Sequence, residues 1–173
     1  MLEAFSEWLG NTQLSSVLAD TTHLSTWLII PLSQCLHILS VAVVMISVGV
    51  LNLNLLGVWG TRQTFAQLAT HLMPWIWGAL GTLFLTGALQ TIAEPTRELA
   101  NIGFGFKMAM LAVVALITLI YQITVRRDPG YWEHSAQRRQ TGRILATISL
   151  FLWVGIAAAG RLIAYLGDVK LEF

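Results

Sequence analysis

Four long apolar stretches dominate this chain of 173 residues. An α-helix rises about 1.5 Å per residue, so about 20 consecutive apolar residues cross the hydrocarbon layer of a membrane. The stretches run approximately over residues 27–57, 72–93, 104–125 and 144–166. They predict an all-α fold, a bundle of four transmembrane helices.

The composition excludes most other classes of protein. Hydrophobic residues make up 55% of the chain and charged residues only 11%, whereas a soluble domain carries about 25% charged residues. The net charge is +1, too small to bind a nucleic-acid backbone. Cys35 is the single cysteine, which excludes an internal disulfide and a metal site built from cysteines. We therefore expect contact with a lipid bilayer and no nucleic-acid partner.

Arginines gather on one side of the predicted bundle. They follow the first and third spans: Arg62, Arg126, Arg127, Arg138, Arg139 and Arg143. The positive-inside rule assigns such loops to the cytoplasm. The sequence therefore predicts a multi-pass protein of a bacterial inner membrane with both termini on the periplasmic side.

The first 26 residues have a different pattern. Phe5 and Trp8 stand at helical spacing among polar residues, and Asn11-Thr12 interrupts the pattern before it resumes. We interpret residues 1–26 as a broken amphipathic segment on the outer membrane surface or on a partner, ahead of a transmembrane domain over 27–173. A frayed polar tail is the alternative.

The first span carries a polar stripe centred on His37. At about 100° per residue its members lie within about 60° of His37. They are Ser33, Gln34, His37, Ser40 and Asn52. This places His37 inside the bundle, about 9 Å beyond Pro31. We expect Pro31 and Pro74 in the first helical turns of the first and second spans. A buried membrane histidine is either a haem or metal ligand or a hydrogen-bonded structural residue.

Two cations are predicted at the same depth as His37. Lys107 opens the third span and Arg161 ends the fourth, while Gln90 and Glu94 end the second. The two cations beside His37 would suit an anionic ligand such as a haem propionate, a quinone oxygen or a carboxylate. The alternative is that Lys107 and Arg161 snorkel to lipid headgroups.

A second haem ligand is harder to find. His71 and His134 fall on the arginine-rich side, too far from His37 to share a haem with it. The remaining candidates are Met108, Met110, Lys107 or His23 folding over from outside, and a five-coordinate haem on His37 alone is also allowed. Copper is a weaker option, because the methionines do not cluster at one depth.

Short motifs at the ends of the spans carry a family resemblance. They are Pro31-Leu32 with His37, Leu51–Gly57, Pro74-Trp75, Thr86-Gly87, Glu94 with Arg97, Phe106-Lys107-Met108, and Ala159-Gly160-Arg161 with Tyr165. In these motifs the chain resembles an uncharacterised family of four-span bacterial inner-membrane proteins, with some likeness to the membrane domains of copper-resistance and b561-type proteins. The resemblance implies the four-span fold. It also implies that His37, Lys107 and Arg161 match the pattern of the family.

The chain departs from that family at three positions. The family pattern has an acid where this chain has Gln34, and an Asp and an Arg where it has Asn52 and Asn54. Any role that depends on those charges is therefore not expected to transfer to this chain.

The leading hypothesis is an electron-transfer subunit that holds a b-type haem or a quinone in the outer half of the bundle. Its candidate cofactor-binding residues are His37, Lys107, Arg161, Gln34 and Met108, with His37 as the metal ligand. A second hypothesis is a structural or assembly subunit of a larger membrane complex, based on small-residue helix faces such as Gly78 and Gly81. A transporter of copper or a small acid ranks third, because four spans leave little room for paired repeats.

Overall fold

The computed structural model describes the backbone of residues 2–19, 24–58, 63–95, 99 and 102–166. It describes their side chains except those of residues 2, 3, 14, 19, 24–27, 102 and 161–166. The described helices are α1 (Leu2–Gly10), α2 (Gln13–Ala19), α3 (Leu24–Leu56), α4 (Phe65–Ala93), α5 (Ile102–Arg127) and α6 (Ala136–Leu166). The prediction of an all-α fold is confirmed.

The four long helices form an antiparallel bundle. The helix α3 packs against both α4 and α6, and α5 packs against α6, while the contact between α4 and α5 is the smallest of the four between neighbouring helices. A hydrogen bond of 2.7 Å from Trp77 Nε1 to Gln122 Oε1 joins α4 to α5. We call this loosely packed contact the α4–α5 seam.

Each of the four helices is long and apolar enough to cross a membrane. Their outer surfaces are also apolar: Ile46 is 68% exposed, Phe84 72% and Phe151 74%. Lipid is the solvent that accommodates such surfaces, whereas water does not. The chain is therefore a multi-pass membrane protein in contact with a lipid bilayer.

The two ends of the bundle differ in charge. The arginine-rich end is the one that carries Arg126, Arg127, Arg138, Arg139 and Arg143; Arg62 and Arg97 lie outside the described residues. The opposite end, which we call the far end, is where α1 and α2 pack on α4.

Local sequence explains where α3 ends and α4 begins. Gly57 has a φ of 75°, and the N–H groups of Gly57 and Val58 donate to the carbonyls of Asn54 and Leu53 at 3.0 and 3.2 Å. This pair of hydrogen bonds ends a helix, and its positive φ favours glycine. Thr64 then starts α4 through a reciprocal pair of hydrogen bonds with Gln67.

The prediction that Pro31 and Pro74 occupy the first turn of their helices is wrong. Both lie inside α3 and α4, which begin at Leu24 and Phe65. Hydropathy detects only the apolar part of a helix, while α4 starts earlier, at a polar cap outside that part. Membrane helices tolerate an internal proline because neighbouring groups satisfy the freed carbonyl.

The N-terminal segment is interrupted where the sequence predicts. Thr12 lies between α1 and α2, where its hydroxyl donates to the Leu9 carbonyl at 2.7 Å and accepts from the Ser15 N–H at 3.3 Å. One side chain thus ends α1 and begins α2. Phe5 and Trp8 stack at 5.8 Å on the exposed side, which leaves an apolar surface at the far end.

A buried polar network joins three helices in the arginine-rich half. Asn52 of α3 is fully buried, its Nδ2 donates to Ser149 Oγ at 3.0 Å, and its Oδ1 accepts from the Tyr121 hydroxyl at 3.2 Å. The Tyr121 ring makes edge contacts with Phe65 and Trp132. The network fixes the rotation of α3, α5 and α6 relative to one another, because each group would otherwise be unsatisfied in hydrocarbon.

We expect Asn52→Ala to lower the free energy of unfolding by about 0.6 to 1.7 kcal/mol, the range for hydrogen bonds within membranes. Thermal unfolding in mild detergent measures the change. Thr147→Ala is the control, because the exposed Thr147 hydroxyl bonds only the Arg143 carbonyl of its own helix. An Asn52→Ala protein as stable as the wild type would show that the network does not hold the helices together.

Candidate functional site

His37 is held by a hydrogen bond between α3 and α4. Its Nδ1 lies 2.8 Å from the hydroxyl oxygen of Thr86, which is itself buried. The ring also lies beside Gly87, where an added β-carbon would stand 3.6 Å from His37 Cε1. The absence of a side chain at Gly87 leaves room for the imidazole at this helix contact.

The hydrogen bonds of Thr86 determine which nitrogen of His37 carries the proton. A hydroxyl has one proton to donate, and Thr86 Oγ1 directs it to the Thr82 carbonyl at 2.7 Å. The same oxygen then accepts from His37, so the imidazole is assigned the tautomer with the proton on Nδ1. In a neutral ring this leaves the lone pair on Nε2. That nitrogen is the one available to an iron atom or a hydroxyl donor.

Lys107 brings a positive charge to the same place from α5. It is partly buried, and its ammonium group lies close enough to the His37 ring to act on it electrostatically. His37 and Thr86 therefore meet at the contact between α3 and α4, and Lys107 of α5 lies within electrostatic range of His37 in the far half of the bundle.

Gln90 adds an unsatisfied donor one turn beyond Thr86. Its side-chain nitrogen is buried and has no hydrogen-bond partner among the described residues. A buried amide without a partner is costly, so such a group in a native structure requires an explanation. A ligand oxygen near His37 would supply one.

Other predicted site residues are placed differently. Gln34 is exposed on α3, and Met108 is 42% exposed on α5. The sulfur of Met110 faces α6, where it would lie 3.1 Å from a β-carbon added at Gly155. The prediction that Gln34 belongs to an inward-facing polar stripe is therefore wrong, and Met108 likewise lies on the outer surface of its helix. The side chain of Arg161, on α6, and all of His23 lie outside the described residues.

The two other described histidines lie toward the arginine-rich end. His71 is bonded to the Gln67 carbonyl at 2.8 Å, about 22 Å along α4 from Thr86 by helix rise. His134 lies 3.1 Å from the Asp128 carboxylate in the turn between α5 and α6. Neither can share a ligand with His37. Within the described part of the chain, no three His, Cys, Asp or Glu residues form a group able to hold a metal ion.

Sequence analysis located His37 and Lys107 but missed the bonds that organise them. The pair Thr86-Gly87 was visible as a motif, yet a partner on another helix depends on helix register, which periodicity does not give. Ser149 was missed altogether, because a lone serine in an apolar span carries no distinctive signal. Cys35 is exposed, as its angle of about 160° from His37 predicts.

The arrangement can hold a ligand but contains no catalytic set. It offers one imidazole lone pair, one ammonium group and one amide donor, in a place shielded from water. Iron accepts the imidazole nitrogen, and the two donors suit anionic or carbonyl oxygens.

We expect the bond between His37 and Thr86 to appear in a double-mutant cycle. The variants His37→Ala, Thr86→Val and their combination should show a coupling energy of about 1 kcal/mol in thermal unfolding, since each single change removes the same bond. Thr82→Val replaces a hydroxyl that bonds only its own helix, at the Gly78 carbonyl, and should show no coupling to His37→Ala. Purely additive effects of His37→Ala and Thr86→Val would contradict the bond.

Comparison with known proteins identifies one relationship. No curated protein and no solved structure matches the chain. A family model described as "Family of unknown function (DUF6644)" matches residues 5–166, which include all four long apolar helices, α2 and all but the first three residues of α1. The chain therefore belongs to this family of unknown function, DUF6644.

Proposed function

We propose that the chain is an electron-transfer subunit of a bacterial inner membrane that binds a b-type haem or a quinone beside His37. The observation that carries this proposal is the distance of 2.8 Å between His37 Nδ1 and Thr86 Oγ1, whose proton is directed to the Thr82 carbonyl. We infer from it that His37 donates from Nδ1 and that Nε2 keeps its lone pair. A histidine that serves as a metal ligand commonly donates its other ring N–H to a fixed acceptor in this way.

The residues fit a haem in three respects. His37 Nε2 would bind the iron, Lys107 would pair with a propionate, and the α4–α5 seam is the side of the bundle with the least helix contact. The haem would supply one-electron transfer, while the chain's own residues bind it, orient it and exclude water.

A quinone fits the same residues through other bonds. The buried Gln90 amide and the Lys107 ammonium would donate to a quinone oxygen, and His37 Nε2 would accept from the hydroxyl of the reduced form. The unsatisfied nitrogen of Gln90 is the observation that favours a quinone over a haem.

Reduced-minus-oxidised visible spectra of the purified protein test this proposal, together with extraction for haem and quinone. We expect the wild type to contain one of the two and His37→Ala to lose it, because the ligand would lose its main contact. His71→Ala is the matched control, since it removes a histidine of α4 that lies far from the site.

Two results would contradict the proposal. One is a wild-type protein with neither a haem spectrum nor extractable quinone after purification from membranes in mild detergent. The other is a cofactor that His37→Ala and His71→Ala reduce to the same extent.

A second candidate function is a structural or assembly subunit. Gly78 and Gly81 lie on the outside of α4, and a β-carbon added at either would meet no atom within 4 Å. These residues therefore do not pack within the bundle, and small residues allow another helix to approach closely. This function would be favoured by partners that co-purify with the wild type and with the cofactor-site variant His37→Ala, but not with Gly78→Leu.

We also propose that the arginine-rich end faces the cytoplasm and that both termini are periplasmic, because five described arginines lie at one end. In a Cys35→Ser background, a membrane-impermeant thiol reagent added to intact cells should label Thr12→Cys and not Ser135→Cys. Permeabilised cells should show labelling of both. The reverse pattern in intact cells would contradict the orientation.

A further inference from the structure

A cavity of about 410 Å³ opens at the arginine-rich end, between the end of α5, the turn after it and the start of α6. Its lining includes the polar side chains of Thr124, Gln137, Arg138 and Thr141 and the apolar side chains of Ile120 and Leu145. Tyr131 and Trp132 of the turn form the remaining wall. None of these residues belongs to the site at His37.

We propose that this cavity binds the headgroup of an anionic phospholipid. Arg138 would contact the phosphate, Gln137 and Thr141 would bond the headgroup oxygens, and one acyl chain would lie along Ile120 and Leu145. Basic pockets between transmembrane helices are a recurrent way of binding anionic headgroups. The inference is independent of the proposed electron transfer.

The order of the lining residues matches the order of groups in a phospholipid. On α6, Gln137 and Arg138 are nearest the end of the bundle, Thr141 lies about one turn deeper and Leu145 about one turn deeper again. On α5, Ile120 lies one turn deeper than Thr124. Polar groups therefore stand at the depth of the headgroup and apolar groups at the depth of the acyl chain.

The charge of Arg138 is held at the cavity without being neutralised. Its guanidinium carbon lies 4.3 Å from the centre of the Tyr131 ring, a stacking contact that fixes the group while leaving its N–H donors free. No carboxylate pairs with Arg138 among the described residues. The nearby Asp128 carboxylate is 3.1 Å from His134 instead. The start of α6 adds the positive end of its helix dipole.

A second, smaller cavity on α6 repeats the pattern. It measures about 250 Å³ and is lined by Gln140, Arg143 and Thr147 with Ile144 and Ile148. One arginine again stands nearer the end of the bundle than the apolar side chains. Arg143 also lies beside Gly57, at the carbonyl end of α3. Part of its charge therefore interacts with the negative end of the α3 helix dipole. Arg138 is therefore the better choice for a test.

Native mass spectrometry of the detergent-purified protein tests the proposal. The protein is mixed with dioleoylphosphatidylglycerol or with dioleoylphosphatidylcholine at equal concentration. We expect more phosphatidylglycerol to be retained, and Arg138→Gln to reduce that retention about fivefold to tenfold, as one arginine does at an anionic surface. Arg139→Gln is the matched control, because it removes the same charge from the next residue, which does not line the cavity.

A second pair of variants tests the cavity without changing charge. Leu145→Trp fills its apolar part and should also reduce phosphatidylglycerol retention, whereas Val154→Trp, on the exposed surface of the same helix, should not. This pair keeps the proposal testable if Arg138→Gln fails to fold.

Three results would overturn the proposal. Equal losses in Arg138→Gln and Arg139→Gln would show attraction to charge in general and no defined site. Equal retention of the two lipids would show no preference for an anionic headgroup. Displacement of phosphatidylglycerol by millimolar inorganic phosphate would assign the cavity to a free phosphate ion instead of a lipid.

Discussion

The hydrocarbon core of a membrane offers no water to a polar side chain, and the rest of this structure depends on that constraint. Every buried hydroxyl, amide or imidazole must find its partner within the bundle or remain unsatisfied at a cost. Asn52 meets the constraint with Tyr121 and Ser149, and His37 meets it with Thr86. Hydrophobic burial cannot determine how these helices are rotated, because lipid is as apolar as the helix faces. The polar bonds between helices determine it instead.

Asn52 and His37 differ in how many of their polar atoms are hydrogen-bonded within the bundle. The Asn52 amide is both donor and acceptor, and both of its functions are bonded within the bundle. A carboxylate at this position would require a cation, whereas the amide forms a neutral network. His37 bonds through only one of its ring nitrogens. Among the described residues the bonds of Asn52 are complete, while His37 Nε2 is the atom to which the proposed ligand would bind.

Much of the fold could be predicted from the sequence, and the reasons are physical. An apolar run predicts that a span exists, and angles of about 100° per residue correctly turned His37 toward a neighbouring helix and Cys35 away from it. The same angles wrongly placed the exposed Gln34 in the inward stripe. Hydropathy does not mark where a helix begins beyond the hydrocarbon, so the places of Pro31 and Pro74 were missed. Contacts such as His37 with Thr86 require the register of two helices, which no single-helix pattern contains. Arg161 stays a prediction, because its side chain lies outside the described residues.

The claim that carries the proposed function is the tautomer of His37. Nuclear magnetic resonance of protein labelled with ¹⁵N in its histidines measures it directly, and a His37→Gln sample identifies the His37 signals by their loss. We predict a proton on Nδ1 and none on Nε2, with this preference lost in Thr86→Val. A proton on Nε2 and a bare Nδ1 in the wild type would contradict the prediction, because the nitrogen facing a ligand would then have no lone pair to offer.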